Sequence, residues 1–224
     1  MERYSRNHTA ITPDEQTKLS EGHVLIAGCG GLGGYIIELL TRIGVGHLTV
    51  VDGDVFCESN LNRQLLSTTE TLGKSKAEAA VERMASVNPL VSGTAVCKYL
   101  TEENADSLLA GQDVAVDALD NGESRALLLA AARRANIPLV HGAIAGWYGR
   151  VSVIYPGDAT SALMQTAGRG LEQQTGNLSF TASSVASIQA AETVKCLLSK
   201  GQVCRNRTIE LDLLSGNFEE ITFV

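Results

Sequence analysis

The chain contains, at residues 24–34, the sequence Val24-Leu25-Ile26-Ala27-Gly28-Cys29-Gly30-Gly31-Leu32-Gly33-Gly34. Its apolar first part is typical of a buried parallel strand, and it leads directly into a glycine-rich turn. Residues 35–40 then have the spacing of an amphipathic helix. Because glycine lacks a Cβ, the turn can bring backbone N–H groups close to a phosphate, at which the helix N-terminus also points. The stretch therefore predicts a nucleotide-binding strand–turn–helix unit.

The spacing Gly28-x-Gly30-x-x-Gly33 identifies neither the nucleotide nor the reaction, because it also fits a dinucleotide-binding dehydrogenase. Asp52 follows the next predicted strand, about 20 residues beyond the turn, where a carboxylate can accept hydrogen bonds from ribose hydroxyl groups. We therefore predict that Asp52 binds a ribose, with a helix cap or a turn as the alternative role.

Predicted strands and helices alternate through most of the chain. This alternation indicates an α/β fold with a Rossmann-like, doubly wound, mostly parallel sheet. The pattern changes at Gly149. Residues 150–155 alternate like an antiparallel strand, residues 156–177 form a long polar loop, and a small-residue helix and two more strands follow. We therefore expect the sheet to be extended by antiparallel strands at the C-terminal end.

Three polar clusters each follow a predicted strand of the parallel part: Gly28–Gly34, Asp52 and Asp117–Asn121. In doubly wound sheets, ligands bind beyond the carboxyl ends of the strands. We therefore expect the three clusters to line one crevice.

Composition restricts the class of protein. The 224 residues suffice for one sizeable α/β domain, and the formal charge of −7 argues against a nucleic-acid-binding or anionic-membrane surface. The first residues lack the apolar run of a signal peptide, and no stretch has the length and apolarity of a membrane span. The five cysteines include no C-x-x-C pair, which indicates reduced thiols and a cytoplasmic location.

A series of motifs resembles the ThiF/MoeB/HesA adenylyltransferases, relatives of the ubiquitin-activating enzymes. The resemblance runs from Arg3 to about Gly201, and each motif alone is a weak signal. In chain order, the matching motifs are Arg3-Tyr4-Ser5-Arg6, Gly28-Cys29-Gly30-Gly31-Leu32-Gly33, Val51-Asp52-Gly53-Asp54, Ser59-Asn60-Leu61-Asn62-Arg63-Gln64, Gly73-Lys74-Ser75-Lys76, Asp117-Ala118-Leu119-Asp120-Asn121 and Gly146-Trp147-Tyr148-Gly149.

The resemblance implies a role for each matched residue. Asp52 would bind the ribose of ATP, Asp120 would bind Mg²⁺, and Arg6 would reach across a homodimer into the neighbouring active site. The implied catalytic residues are Arg6, Arg63, Lys76 and Asp120. The implied nucleotide-binding residues are Gly28, Gly30, Gly31, Leu32, Gly33, Asp52, Asp54, Asn60, Arg63, Gln64, Lys76, Asp120 and Asn121.

The resemblance also implies an activity and a domain plan. The protein would use ATP and Mg²⁺ to activate the C-terminal glycine carboxylate of a small ubiquitin-like sulfur-carrier protein ending in Gly-Gly, giving an acyl-adenylate and pyrophosphate, in a pathway such as thiamine or molybdopterin biosynthesis. Residues 1–224 would form a single adenylation domain. Its parts would be an N-terminal arm and helix (1–20), a nucleotide-binding half (22–148) and a carrier-protein-binding half (149–224) with a crossover loop at 156–178.

Two departures from the family pattern lead to further expectations. Many members have two C-x-x-C pairs that bind zinc, and this chain has none, so we expect no zinc. Residues 156–192 contain no cysteine, so a thioester or persulfide at that position is excluded. Cys29 and Cys57 lie near the glycine turn and the Asn60 motif, and we expect both to be small packing residues without a cation that would lower the thiol pKa.

Three alternatives remain open at this level. An NAD-dependent oxidoreductase would explain the glycine turn and Asp52, although not Arg63, Lys76 and Asp120. A non-catalytic member of the family could bind a nucleotide or a carrier protein. A related enzyme could activate a non-protein carboxylate, such as one on a modified nucleoside.

Overall fold

The computed structural model describes residues 2–158, 160 and 175–223. Over these residues the strands are β1 (His23–Ala27), β2 (His47–Val51), β3 (Ser92–Val96), β4 (Val114–Asp117), β5 (Leu139–Ala145), β6 (Tyr148–Ile154), β7 (Arg207–Asp212) and β8 (Asn217–Thr222). The α-helices are α1 (Pro13–Glu21), α2 (Gly33–Ile43), α3 (Lys76–Val87), α4 (Glu102–Leu109), α5 (Gly122–Ala135) and α6 (Ser179–Leu198), with short 3₁₀ helices at Glu2–Asn7 and Glu58–Asn60.

The strands form one eight-stranded sheet in the order β3-β2-β1-β4-β5-β6-β7-β8. The pairs from β3 to β5 are parallel, and the pairs from β5 to β8 are antiparallel. The predicted fold class, a doubly wound parallel sheet extended by antiparallel strands, is therefore confirmed.

Apolar side chains cover both faces of the parallel strands. Val24 and Ile26 of β1 belong to the cluster beneath α2, α3 and α6, whereas Leu25 and Ala27 belong to the cluster beneath α4 and α5. Because β1 is buried on both faces, its sequence is a continuous apolar run instead of an alternating one.

The main element boundaries follow local sequence signals. In α1, the Thr12 side chain accepts from the backbone N–H of Glu15, whose carboxylate in turn accepts from the Thr12 N–H, as in a capping box. The sequence predicts a helix over residues 76–87 that stops at Asn88-Pro89, and α3 has these bounds. The sequence also predicts a hairpin around residues 215–217, and this turn joins β7 to β8.

Three predicted boundaries differ from the structure. The sequence predicts a strand over residues 94–99, but β3 ends at Val96, because its partner β2 ends at the paired residue Val51. The sequence predicts a strand over residues 138–141, but β5 continues to Ala145, because β6 pairs with it antiparallel as far as Tyr148. The sequence predicts a helix over residues 124–135, but α5 begins at Gly122, because the side chain of Asn121 accepts from the backbone N–H of Ser124.

Two further findings concern the chain as a whole. Much of the predicted loop at 156–177 falls on positions 159 and 161–174, which lie outside the described residues. Among the described residues, no helix combines the length and apolarity that crossing a membrane requires.

Candidate active site

The glycine turn after β1 has the geometry of a phosphate cradle. Gly28 has φ +97° and a Cβ there would lie 2.5 Å from the carbonyl oxygen of Ala118, so no other residue fits. A Cβ on Gly33 would lie 1.8 Å from the Gly28 carbonyl oxygen. Among the described residues nothing accepts a hydrogen bond from the backbone N–H groups of Gly30, Gly31 or Leu32. These donors, at the N-terminus of α2, are available to an anion.

Asp52 is fixed to this turn by its carboxylate. One oxygen accepts a hydrogen bond from the backbone N–H of Cys29 at 2.7 Å, and the other accepts from the N–H of Asp54 at 2.8 Å. Burial raises the pKa of Asp52 despite these bonds. Each oxygen keeps a second lone pair with which to accept from a ribose hydroxyl group.

Lys76 is held by Asp54, and each carboxylate oxygen of Asp54 has one partner within the protein. The Lys76 ammonium is nearly buried and lies 3.0 Å from one Asp54 oxygen, and the hydroxyl of Tyr99 donates to the other at 2.6 Å. The Tyr99 hydroxyl and the Lys76 ammonium hold the pKa of Asp54 below its usual value. The resemblance implies that Asp54 binds the nucleotide; the structure shows it as the partner of Lys76, and its contact with a nucleotide stays a prediction. Sequence reasoning missed Tyr99, whose only signal is its place just after β3.

Residues 60–64 lie beside the glycine turn. The Arg63 side chain passes over Gly31, with its Cγ and Cδ 3.9 Å from where a Cβ would stand, and its Nη1 donates to the Ser59 carbonyl oxygen at 2.9 Å. Gln64 lies similarly close to Gly30. Asn60 is buried and accepts from the backbone N–H of Cys57. The structure thus brings the side chains of Arg63 and Gln64 to the turn, whereas that of Asn60 is bonded within its own segment. The nucleotide contacts that the resemblance implies for the three residues stay predictions.

The segment after β4 forms the other wall of the crevice. Ala118 packs against Gly28 and Gly33, and Asp120 lies two residues further on, exposed to solvent. Asn121, also predicted to contact the nucleotide, uses its side-chain oxygen to cap α5. The three predicted clusters therefore do converge at the carboxyl ends of β1, β2 and β4, which are neighbours in the sheet.

Asp120 fits a magnesium ion shared with a nucleotide. Among the described residues its carboxylate has no hydrogen-bond or ion-pair partner. The described residues also contain no group of three His, Cys, Asp or Glu side chains that could hold a metal ion by themselves. Mg²⁺ is commonly held by one or two carboxylates together with substrate phosphates and water. A single free carboxylate beside a phosphate cradle matches that donor set.

Arg6 does not lie at the cleft of its own chain. Its neighbour Tyr4 is buried against Gly44, at the end of α2, and accepts a hydrogen bond from Asn88, at the end of α3. Arg3 donates to the same Asn88 side chain. Helix α2 begins at the glycine turn, beyond the carboxyl ends of the parallel strands, so its C-terminal end lies near their amino ends. Arg6 is exposed there.

The two cysteines near the cleft differ from each other. Cys29 is fully buried, as predicted for a packing residue, and burial raises the pKa of its thiol. For Cys57 the prediction is wrong, because the thiol is exposed and its pKa is lowered. A hydrogen bond with the Ser59 hydroxyl is the main cause, and the Lys76 ammonium contributes. Lys76, 19 positions further along the chain, adds a smaller electrostatic effect that the local sequence does not reveal.

An apolar surface adjoins the site on the antiparallel side. Trp147 and Phe180 pack with their ring centroids 4.8 Å apart, yet both remain exposed. Nearby, the Asn62 side chain donates to the carbonyl oxygen of Asn177, which links the motif at residues 59–64 to the start of α6. Among the described residues of this half, the other large exposed apolar side chains are Tyr148, Leu214, Phe218 and Ile221.

Comparison with known proteins agrees with the resemblance seen in the sequence. A family profile described as the ThiF family matches residues 4–223. The chain is 36% identical to the SAMP-activating enzyme E1 of Haloferax volcanii, covering 100% of this chain and 85% of that protein. It is 32% identical to the sulfur carrier protein adenylyltransferase of Thermus thermophilus, covering 99% and 87%. The crystal structure of E. coli MccB with AMPCPP and MccA superposes with a TM-score of 0.86 at 20% identity, covering 99% of this chain and 71% of that one, which supports the fold.

Proposed function

The chain belongs to the ThiF family, and we propose that it is an ATP-dependent adenylyltransferase. Its substrate would be the C-terminal glycine carboxylate of a small ubiquitin-like sulfur-carrier protein ending in Gly-Gly, and its products an acyl-adenylate and pyrophosphate. The single observation that carries this proposal is the crevice in which a fixed Lys76, Arg63 and a free Asp120 surround a turn with unbonded N–H groups.

The chemistry requires charge stabilisation and positioning more than proton transfer. The substrate carboxylate is already ionised at neutral pH, so its oxygen can attack the α-phosphorus while the bond to pyrophosphate breaks, without a general base. Negative charge then develops on the phosphates, where Arg63, Lys76 and the N–H groups of the turn would stabilise it. Because Lys76 is already held by Asp54, little reorganisation accompanies the reaction.

The remaining site residues would bind and orient the substrates. Asp52 would accept hydrogen bonds from the ribose, and Asn60 and Gln64 would line the phosphate side of the turn. Asp120 would hold Mg²⁺, which neutralises phosphate charge when bound. These roles rest on the family resemblance together with the positions of the side chains around the turn.

The carrier protein would dock on the half of the domain from residue 149 to 224, with its tail passing Trp147 and Phe180. Exposed aromatic and aliphatic side chains on that half support this assignment, since large apolar surfaces mark interaction sites. The nucleotide-binding half would then be residues 22–148. We further propose that the enzyme is cytoplasmic, which the five free cysteines support. It would serve a pathway such as thiamine or molybdopterin biosynthesis.

We propose that the enzyme is a homodimer in which Arg6 enters the partner's cleft. The position of Arg6, at the far edge of its own sheet, supports this role because it cannot serve its own site from there. The test is to mix inactive Arg6→Ala and Asp120→Ala proteins. Random exchange of subunits pairs one intact Arg6 with one intact Asp120 cleft, so about a quarter of the wild-type activity should return. Absence of any recovery after verified subunit exchange would contradict the proposal.

The alternatives are less well supported by the geometry. An NAD-dependent oxidoreductase has no use for the Lys76–Asp54–Tyr99 arrangement or for Arg63 over the turn. A non-catalytic nucleotide or carrier binder would not need an unpaired Asp120 carboxylate. Activation of a non-protein carboxylate would use the same cleft, and only the choice of substrate in the assay separates it.

The decisive experiment is ATP–pyrophosphate exchange with Mg²⁺ and a panel of carrier proteins ending in Gly-Gly. We expect exchange that depends on the carrier, and we expect no exchange with a carrier that lacks its last glycine. Carrier-independent exchange, or a nicotinamide absorbance change with any substrate, would contradict the proposal.

A further inference from the structure

A row of buried polar side chains crosses three adjacent strands just below the active site. Asp117 of β4 is the register partner of His141 on β5, and His141 is the register partner of Ser152 on β6. All three side chains are fully buried. The Nδ1 atom of His141 lies 2.7 Å from one carboxylate oxygen of Asp117. The row ends three residues before Asp120.

Asp117 is fixed on the α5 face of the sheet through its carboxylate. Its second oxygen accepts a hydrogen bond from the backbone N–H of Leu119 at 3.0 Å. Arg125 on α5 lies 3.7 Å from the oxygen that contacts His141 and donates twice to the carbonyl oxygen of Leu119, at 3.1 and 2.6 Å. Both peptide groups that flank Leu119 are therefore bound by this cluster.

Asp117 is fixed on the opposite face through its backbone. The Nε2 atom of Gln189 on α6 donates to the Asp117 carbonyl oxygen at 2.8 Å and lies 3.3 Å from that of Val140. Gly142 makes room for this side chain, because a Cβ there would lie 2.3 Å from Gln189 Oε1. The last residue of β4 is thus held from both sides of the sheet.

Stability does not account for this arrangement. Burial lowers the pKa of His141 even though Asp117 is adjacent. Among the described residues, the buried atoms His141 Nε2, Ser152 Oγ and Gln189 Oε1 have no hydrogen-bond partner, which is costly. Apolar side chains of similar volume are often as stabilising as a buried ionic cluster or more so. The hydrogen bonds of the cluster instead converge on the backbone of residues 117–119, where β4 ends.

We propose that Asp117 and His141 are positioning residues that hold residues 118–121 so that Asp120 faces a magnesium–nucleotide complex in the cleft. Asp120 lies between two fixed points, the Leu119 peptide groups and Asn121, which caps α5. This inference rests on the proposed use of ATP and Mg²⁺. Groups that orient a metal ligand typically change metal affinity or activity by about 10–100-fold when they are replaced.

The test uses Mn²⁺ as the probe, bound to the whole protein in the presence of a non-hydrolysable ATP analogue and followed by electron paramagnetic resonance. In His141→Leu the donor to Asp117 is lost, and we expect Mn²⁺ binding about 10–100-fold weaker than in the wild type. In His141→Asn the side-chain amide can donate from a position close to Nδ1, and we expect binding within about threefold of the wild type.

A matched control separates positioning from general destabilisation. Leu139 lies two residues earlier on the same strand, faces the same side and is fully buried. Leu139→Ala should lower the melting temperature while leaving Mn²⁺ binding unchanged. Gln189→Leu approaches Asp117 from the other face and provides a second test if His141→Leu does not fold. We expect it to weaken Mn²⁺ binding by about three- to tenfold.

The outcomes distinguish this inference from the proposed function. Wild-type protein that binds no Mn²⁺ together with the analogue would contradict both. Wild-type protein that binds Mn²⁺ while His141→Leu and Gln189→Leu bind it equally well would contradict the positioning role alone. Equal weakening in Leu139→Ala and His141→Leu would also contradict that role, because the effect would then follow from destabilisation of the strand.

Discussion

The parallel and antiparallel parts of the sheet arrange their side chains in opposite ways. In the parallel part, β1 is buried along almost its whole length, and the polar groups at the strand ends are fixed by hydrogen bonds to one another. In the antiparallel part, all six residues of β8 are exposed, and Phe218 and Ile221 project into solvent. The first arrangement suits a rigid reaction site, and the second suits a surface that a partner covers.

This contrast predicts different kinetic effects from the two parts. Groups in the parallel part are fixed before the substrate arrives, so their loss should reduce turnover. The exposed side chains of the antiparallel part have few fixed contacts, so their loss should weaken carrier binding while leaving turnover unchanged.

The largest effect is expected in the cleft, from Arg63→Ala and Asp120→Ala. Each removes one charged group aimed at developing phosphate charge, so ATP–pyrophosphate exchange should fall by roughly 10²–10³-fold. Arg134 and Asp106 provide matched controls, because they form an exposed ion pair at 2.7 Å between α5 and α4. Since exposed ion pairs contribute little, Arg134→Ala and Asp106→Ala should keep near-normal exchange. Near-normal exchange in either cleft variant would contradict its assignment.

A smaller effect is expected on the antiparallel side, from Trp147→Ala. The ring is exposed and packs only partly on Phe180, so its loss should raise KM for the carrier about tenfold and leave kcat unchanged. Leu90→Ala is the control, since Leu90 is an exposed apolar residue that lies just before β3, the edge strand farthest from β8. A fall in kcat with an unchanged KM for the carrier would contradict the predicted difference between the two parts of the sheet.

The sequence predicts the strand–turn–helix unit and the position of the cleft, because both depend on local signals. The apolar run before Gly28 specifies β1, and strand–helix alternation specifies the parallel sheet. Parallel strands then bring Asp52 and Asp120 to the same edge as the turn. The recognition of the ThiF/MoeB/HesA family from motif order is confirmed.

The contacts within the site could not be predicted, because they join residues that are distant in sequence. Asp54 meets Tyr99 only because β2 and β3 are adjacent in the sheet, and the row of Asp117, His141 and Ser152 exists only through strand register. Hydrophobic periodicity specifies which face a side chain occupies but not which neighbour it meets. The same limit explains the wrong prediction for Cys57.

A moderate effect within the cleft is expected from Tyr99→Phe. The variant removes the hydroxyl that donates to Asp54 at 2.6 Å, so Asp54 should hold Lys76 less firmly. We expect KM for ATP to rise roughly three- to fivefold, with the fold unchanged. Tyr148→Phe is the matched control, because that exposed ring lies on β6, in the antiparallel part of the sheet, and the KM for ATP should equal that of the wild type. Equal ATP kinetics in Tyr99→Phe and the wild type would show that Asp54 positions Lys76 without the Tyr99 hydroxyl.

The smallest effect is expected from Cys57→Ser, which tests whether a reactive thiol belongs to the cleft. The thiol contacts only the Ser59 hydroxyl among the described side chains, and serine can make the same contact, so exchange should change by less than about twofold. Iodoacetamide should nevertheless label Cys57 before Cys196 and Cys204, because burial raises the pKa of those thiols to about 11 and that of Cys57 is lowered. Mass spectrometry of labelled peptides checks this order. A loss of exchange beyond tenfold in Cys57→Ser would instead indicate that the thiol takes part in the reaction. The cleft would then use a nucleophile of the enzyme in addition to the groups that stabilise charge.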